Sequence, residues 1–95
     1  MPRKRETVVE LELRTNDTAA WAKADDVIDA IKAVKGVSEI EIKRKSDHYM
    51  DLDLSVHLVA TTKAELRRLY LRISSVANKS PLKLAARSCA LDDLY

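Results

Sequence analysis

The sequence predicts one small α+β domain, and three observations carry that prediction. From position 38 to 60 apolar and polar residues alternate on both sides of a polar break, as in two paired, half-buried strands. Before and after that stretch the apolar residues recur instead every three or four positions, the spacing of amphipathic helices. The chain has 95 residues, which is enough for a single modest core.

Residues 1–6 are polar and basic and read as a flexible tail. Residues 7–14 alternate, with Val9, Leu11 and Leu13 inward and Glu10 and Glu12 outward, which makes the first strand. Thr15, Asn16, Asp17 and Thr18 then offer side chains that accept from the free amides of a helix start. Ala20, Ala24, Val27, Ile28, Ile31 and Val34 supply the buried stripe of the helix that follows, and Gly36 ends it in a left-handed conformation. The hairpin spans 38–45 and 50–60, joined by Ser46, Asp47, His48 and Tyr49. Ile40 and Ile42 share a face of its first strand, and Leu52, Leu54, Val56 and Leu58 a face of its second.

Thr62 followed by Glu65 reads as a capping box that opens a second helix. Leu66, Leu69, Tyr70, Ile73, Val76 and Ala77 form its buried stripe, and Arg67, Arg68, Arg72, Ser74 and Lys79 face away. Ser80-Pro81 suits the start of a new helix, and Leu82, Ala85, Ala86, Cys89 and Ala90 keep helical spacing, so a third helix is expected from about 81 to 93.

Strand, helix, strand, strand, helix is most simply arranged as a ferredoxin-like split β-α-β sheet (β-α-β-β-α). The third strand then lies between the first two, both long helices cover one face, and an additional C-terminal helix follows. The expected division is a tail at 1–6, the α+β domain at 7–79 and a helical extension at 80–95. In this arrangement the first strand keeps an open outer edge, which calls for a partner or a cover. Val8, Glu10 and Glu12 on that strand and Leu82, Cys89 and Leu91 on the third helix are therefore the expected interface of a homo-oligomer, a dimer above all.

Composition excludes several functions. A hydrophobic share of 46% with 34% charged residues is too apolar and too patterned for disorder. With 17 basic against 15 acidic residues, the net charge of +2 creates no strong field toward nucleic acid, and one tryptophan with no phenylalanine leaves few platforms for stacked bases. A single cysteine, Cys89, rules out an internal disulfide and suits a reducing compartment. No run approaches a membrane span, so the expectation is a soluble cytoplasmic protein.

The chemistry-bearing residues are few. Asp51, Asp53 and His57 fall on the polar face of the third strand, with Glu10 and Glu12 beside them and His48 in the hairpin turn, and carboxylates with imidazole are ligands for a divalent metal. Same-face neighbours on a strand stand about 7 Å apart, however, so an ion-paired, solvated face with Lys43 and Lys45 is the stronger reading. Cys89 sits on an apolar stripe with no fixed cation aimed at it, which favours packing over reactivity. The chain has no glycine-rich phosphate loop, nucleophile elbow, His-Glu-x-x-His or Cys-x-x-Cys motif, and it reads as non-enzymatic, requiring no cofactor. Arg67, Arg68, Arg72 and Lys79 make a basic strip on the second helix that can contact phosphates but reads first as a solvated face or a docking surface for an acidic partner.

Residues 31–78, with Ile-Lys-Ala-Val-Lys-Gly-Val-Ser-Glu-Ile, then Met-Asp-Leu-Asp-Leu-Ser-Val-His-Leu, then a capped helix, resemble the cytoplasmic C-terminal domain of cation diffusion facilitator metal transporters. The resemblance covers about half of the chain. It implies a dimeric, regulatory and sometimes metal-binding module. In that family a histidine often stands where this chain has Asp53, and a further strand follows the last helix. Together these readings point first to a small self-associating regulatory or adaptor module that acts through protein contact. A metal-responsive binding domain comes second, and weak nucleic-acid binding through the helical arginines third.

Overall fold

Alternation in the sequence becomes a sheet with one apolar and one polar face. The computed structural model describes residues 5–89, which form β1 (Arg5–Arg14), α1 (Thr18–Trp21), α2 (Ala24–Lys32), β2 (Val37–Ser46), β3 (Asp51–Ala60), α3 (Lys63–Lys79) and β4 (Lys83–Cys89). The chain is thus α+β, with a four-stranded sheet in the order β2-β3-β1-β4. Every neighbouring pair is antiparallel, and β3 lies between β1 and β2 as expected.

Register places the alternating apolar residues opposite one another: Val9 faces Val56, Leu11 faces Leu54 and Leu13 faces Leu52. All six are 2% exposed or less. Ala24, Val27 and Ile31 of α2 and Leu66, Ile73 and Ala77 of α3 close over them in the same core. Both helices therefore cover one face of the sheet.

The expected first helix is two. Asp17 accepts from the Ala19 amide at 2.9 Å and caps α1, but the helix breaks at Ala22 and Lys23 before α2 begins. Trp21 Nε1 donates to Asp47 Oδ1 at 2.8 Å, tying α1 to the hairpin turn. The second helix starts at its expected cap. Thr62 Oγ1 accepts from the Glu65 amide at 3.1 Å, while the Glu65 carboxylate accepts from the amide and hydroxyl of Thr61, one residue earlier than in a standard box. Those bonds from Thr61, the backbone one first, hold the Glu65 carboxyl below its usual pKa. Ser74, expected to face away, is 3% exposed, and its hydroxyl is satisfied by the Tyr70 carbonyl at 2.7 Å.

The main correction concerns the C-terminal segment. Residues 83–89 are not helical; they form β4, antiparallel to β1. The remainder of the expected third helix, 90–93, lies outside the described residues. A β-bulge explains the misleading pattern. Leu84 pairs with Leu13 and Ala86 with Glu12, so Ala85 is an extra residue that breaks the period of two. The alanines that fill the bulge region carry no inward or outward preference and fit helical spacing by accident. Leu82, fully buried, enters the core of its own domain and is unavailable as an interface anchor.

Candidate functional site

The edge of β1 that was expected to pair with a second copy is occupied. Val9, Glu10, Leu11 and Glu12 face β4 on that side and β3 on the other. Glu10 and Glu12 remain accessible only from the sheet face opposite the helices, while Val8, 38% exposed, lies just beyond the stretch of β1 that β4 pairs with. The backbone of Cys89 pairs with Val9, and Leu91 lies outside the described residues.

That uncovered face gathers charge by register. Across it Glu41 neighbours Ser55 and Ser55 neighbours Glu10; in the next row Arg44 neighbours Asp53 and Asp53 neighbours Glu12; beyond that come Ser46, Asp51 and Arg14. Glu6 and Glu39 extend the acidic surface toward the other end, around Val8 and His57. Part of the negative charge is neutralised locally. Arg14 pairs with Glu12, Lys43 Nζ lies 3.8 Å from Glu41, and Arg44 Nε lies 3.4 Å from Asp51 Oδ1. Ser55, only 1% exposed, donates its hydroxyl to Glu10 at 3.2 Å.

Asp53 is the residue left over. Its Oδ1 is shut off from solvent and has no hydrogen-bond donor among the described residues, and the Asp51 Oδ1 likewise has an ion pair without a hydrogen bond. Burial, then the charges of Glu12 and Asp51, push the Asp53 carboxyl above its usual pKa; Arg44 and Arg14 oppose them without prevailing. The folded protein therefore holds the Asp53 proton more tightly than the unfolded chain does. Its ionised form disfavours folding at neutral pH, and that penalty fades as pH falls through the raised folded pKa toward 3.8. Asp53→Asn should accordingly stabilise the domain at pH 7 by about 0.5 kcal/mol, the scale of one cross-strand pair, and raise Tm by about 3 °C. Thermal melts should show the gain shrinking toward pH 4; an equal gain at both pH values would refute a charge origin.

The other proposed ligands are not brought to this point. His57 is four residues from Asp53 on the same face, about 13 Å along an extended strand. His48 sits in the hairpin turn, its ring edge-on to Tyr49 at 4.7 Å between centroids, with the Arg44 guanidinium 5.6 Å from the same tyrosine ring. Among the described residues no three His, Cys, Asp or Glu side chains are placed to hold one metal ion. The basic strip also divides. Arg68 and Arg72 flank a groove beside Lys35, whereas Arg67 and Lys79 do not line it. Lys35 lies in the run quoted for the family resemblance but was not read there as a binding residue; only the fold sets it beside the α3 arginines.

No protein-family model matches the chain, and no curated protein is similar to it. The resemblance to the transporter domain thus rests on the residues quoted for it. Among the described residues no helix is long and apolar enough to cross a membrane.

Proposed function

We propose that this chain is a non-enzymatic ferredoxin-like module, regulatory or adaptor in role, that acts by docking its uncovered sheet face on a basic protein surface. The ferredoxin-like reading is supported by β3 lying between β1 and β2 and by β4 on the far side of β1. The observation that carries the docking reading is the half-buried Asp53 at the centre of the face, crowded by the like charges of Glu12 and Asp51 and without a donor for its Oδ1 among the described residues. Glu12, Asp53 and Asp51 stand side by side there, and a lysine or arginine from a partner would neutralise that acidic row from its solvent side.

The same charges bear on self-association. A two-fold contact through this face would set carboxylates against carboxylates, and the β2 edge is guarded by two bulges and by Lys43, Arg44 and Lys45. In this reading the acidic face and the β2 edge disfavour self-association near neutral pH, in place of the dimer expected from an open β1 edge, and the outer side of β4 is the edge left unpaired among the described residues.

Titration of the isotopically labelled chain with a lysine-rich peptide tests the proposal. Amide shifts should concentrate at Glu10, Asp53 and Ser55, and Glu10→Lys with Glu12→Lys should weaken binding at least tenfold. Shifts centred on Asp25, Asp26 and Asp29 of α2 would overturn it. So would a dimer in light scattering that is unaffected by the double charge reversal.

A further inference from the structure

A groove of about 290 Å³ lies at the end of α2, away from the acidic sheet face, and its two halves have opposite character. Its floor is apolar. Leu69 of α3 is half-buried there beside the buried Ala60 of β3, and Leu69 packs directly on the backbone of Gly36. A Cβ at position 36 would stand 2.5 Å from Leu69 Cδ1, so the absence of a side chain is what lets the turn close against the helix. The Gly36 carbonyl accepts from the Val59 amide at 2.9 Å and fixes the turn to the sheet.

The rim is cationic. Lys35 enters from the turn and Arg68 and Arg72 from α3, all three exposed and none in an ion pair with a described residue. Among the described residues Glu65 is the only acid lining the groove, and its carboxylate is engaged by Thr61 and also attracts Arg68. Three cations against one committed carboxylate leave a surplus of two positive charges. Arg68 and Arg72 are one turn apart on the same side of α3, about 6 Å at their Cβ atoms, close enough for two guanidinium forks to grip different oxygens of one tetrahedral anion.

We propose that this groove binds a small organic phosphate monoester, its dianionic phosphate held by Arg68, Arg72 and Lys35 and its apolar body lying on Leu69 and Ala60. A dianion matches the surplus charge. The apolar floor explains why an esterified phosphate is preferred to the free ion. The site meets the sheet face only at Val59, and its cations Lys35, Arg68 and Arg72 play no part in the docking proposal, so the two are tested by different variants.

Phenyl phosphate is the probe. Titrated into the labelled full chain, it should shift the amides of Gly36, Ala60 and Leu69 saturably, and it should bind at least tenfold more tightly than inorganic phosphate. Arg68→Gln with Arg72→Gln should weaken it at least tenfold while leaving Tm unchanged, since both side chains are exposed. Equal binding of inorganic phosphate, undisturbed Ala60 and Leu69, or full affinity in the double variant would each overturn the proposal. Tighter binding of a single-stranded oligonucleotide, with shifts extending to Arg67 and Lys79, would overturn it in favour of a nucleic-acid surface.

Discussion

Glu10→Pro should unfold this protein. Glu10 points to the uncovered sheet face, and had β1 been an edge strand, proline there would have weakened only association. The strand is instead paired with β3 opposite Ser55 and with β4 opposite Ser88. Proline removes one ladder hydrogen bond, places its ring against a neighbouring strand and takes the carboxylate from the Ser55 hydroxyl. A cost of about 3 kcal/mol or more is a large part of the stability of a domain of this size. Circular dichroism should show Tm lowered by at least about 12 °C, or no folded baseline at all, while Glu10→Ala, which loses only the bond to Ser55, stays folded with a much smaller drop. A folded Glu10→Pro variant with the native Tm would mean that β4 does not lie against β1.

Gly36→Ala should be the second most damaging change. Gly36 has φ +106°, outside the range that residues with a Cβ adopt readily, and the added methyl would meet Leu69 Cδ1 at 2.5 Å and Cδ2 at 2.8 Å. Backbone strain of this kind costs about 1–3 kcal/mol, and displacement of Leu69 adds to it, so Tm should fall by about 10 °C. The two contributions separate in a double-mutant cycle. Leu69→Ala relieves the clash but not the torsion, so Gly36→Ala should cost less in the Leu69→Ala background than in the wild type. Equal costs would assign the whole effect to the backbone. Because Leu69 floors the groove, Gly36→Ala should also weaken phenyl phosphate binding.

Much of the architecture was legible because burial writes itself into period. Val9, Leu11 and Leu13, like Leu52 to Leu58 in alternation, read as core and are core. The cap at Thr62 was readable, and the cap at Asp17 falls within the Thr15 to Thr18 run, since each depends on one residue and its near neighbours; Gly36 has the left-handed backbone expected of it, but the helix stops earlier, at Lys32, and Gly36 serves the turn into β2. Asp53 and Glu12 could be placed on one face from alternation alone. That Asp53 would lack a donor could not, because its surroundings come from Arg44, Arg14 and Glu12 on two other strands.

The C-terminal strand was misread for a related reason. Helix and strand propensities around Ala85 and Ala86 are nearly balanced, and the bulge erases the alternation that would have decided between them. What settles the choice is the unpaired edge of β1, which is a property of the assembled sheet. The sequence by itself therefore determined the local signals: three strands, the helical stripes, the caps and the alternating core. Only the tertiary structure decided the fourth strand, the closing of the β1 edge, and the meeting of Lys35 with Arg68 and Arg72. Backbone pairing and charge neighbours across strands depend on distances through space, which no period along the chain encodes.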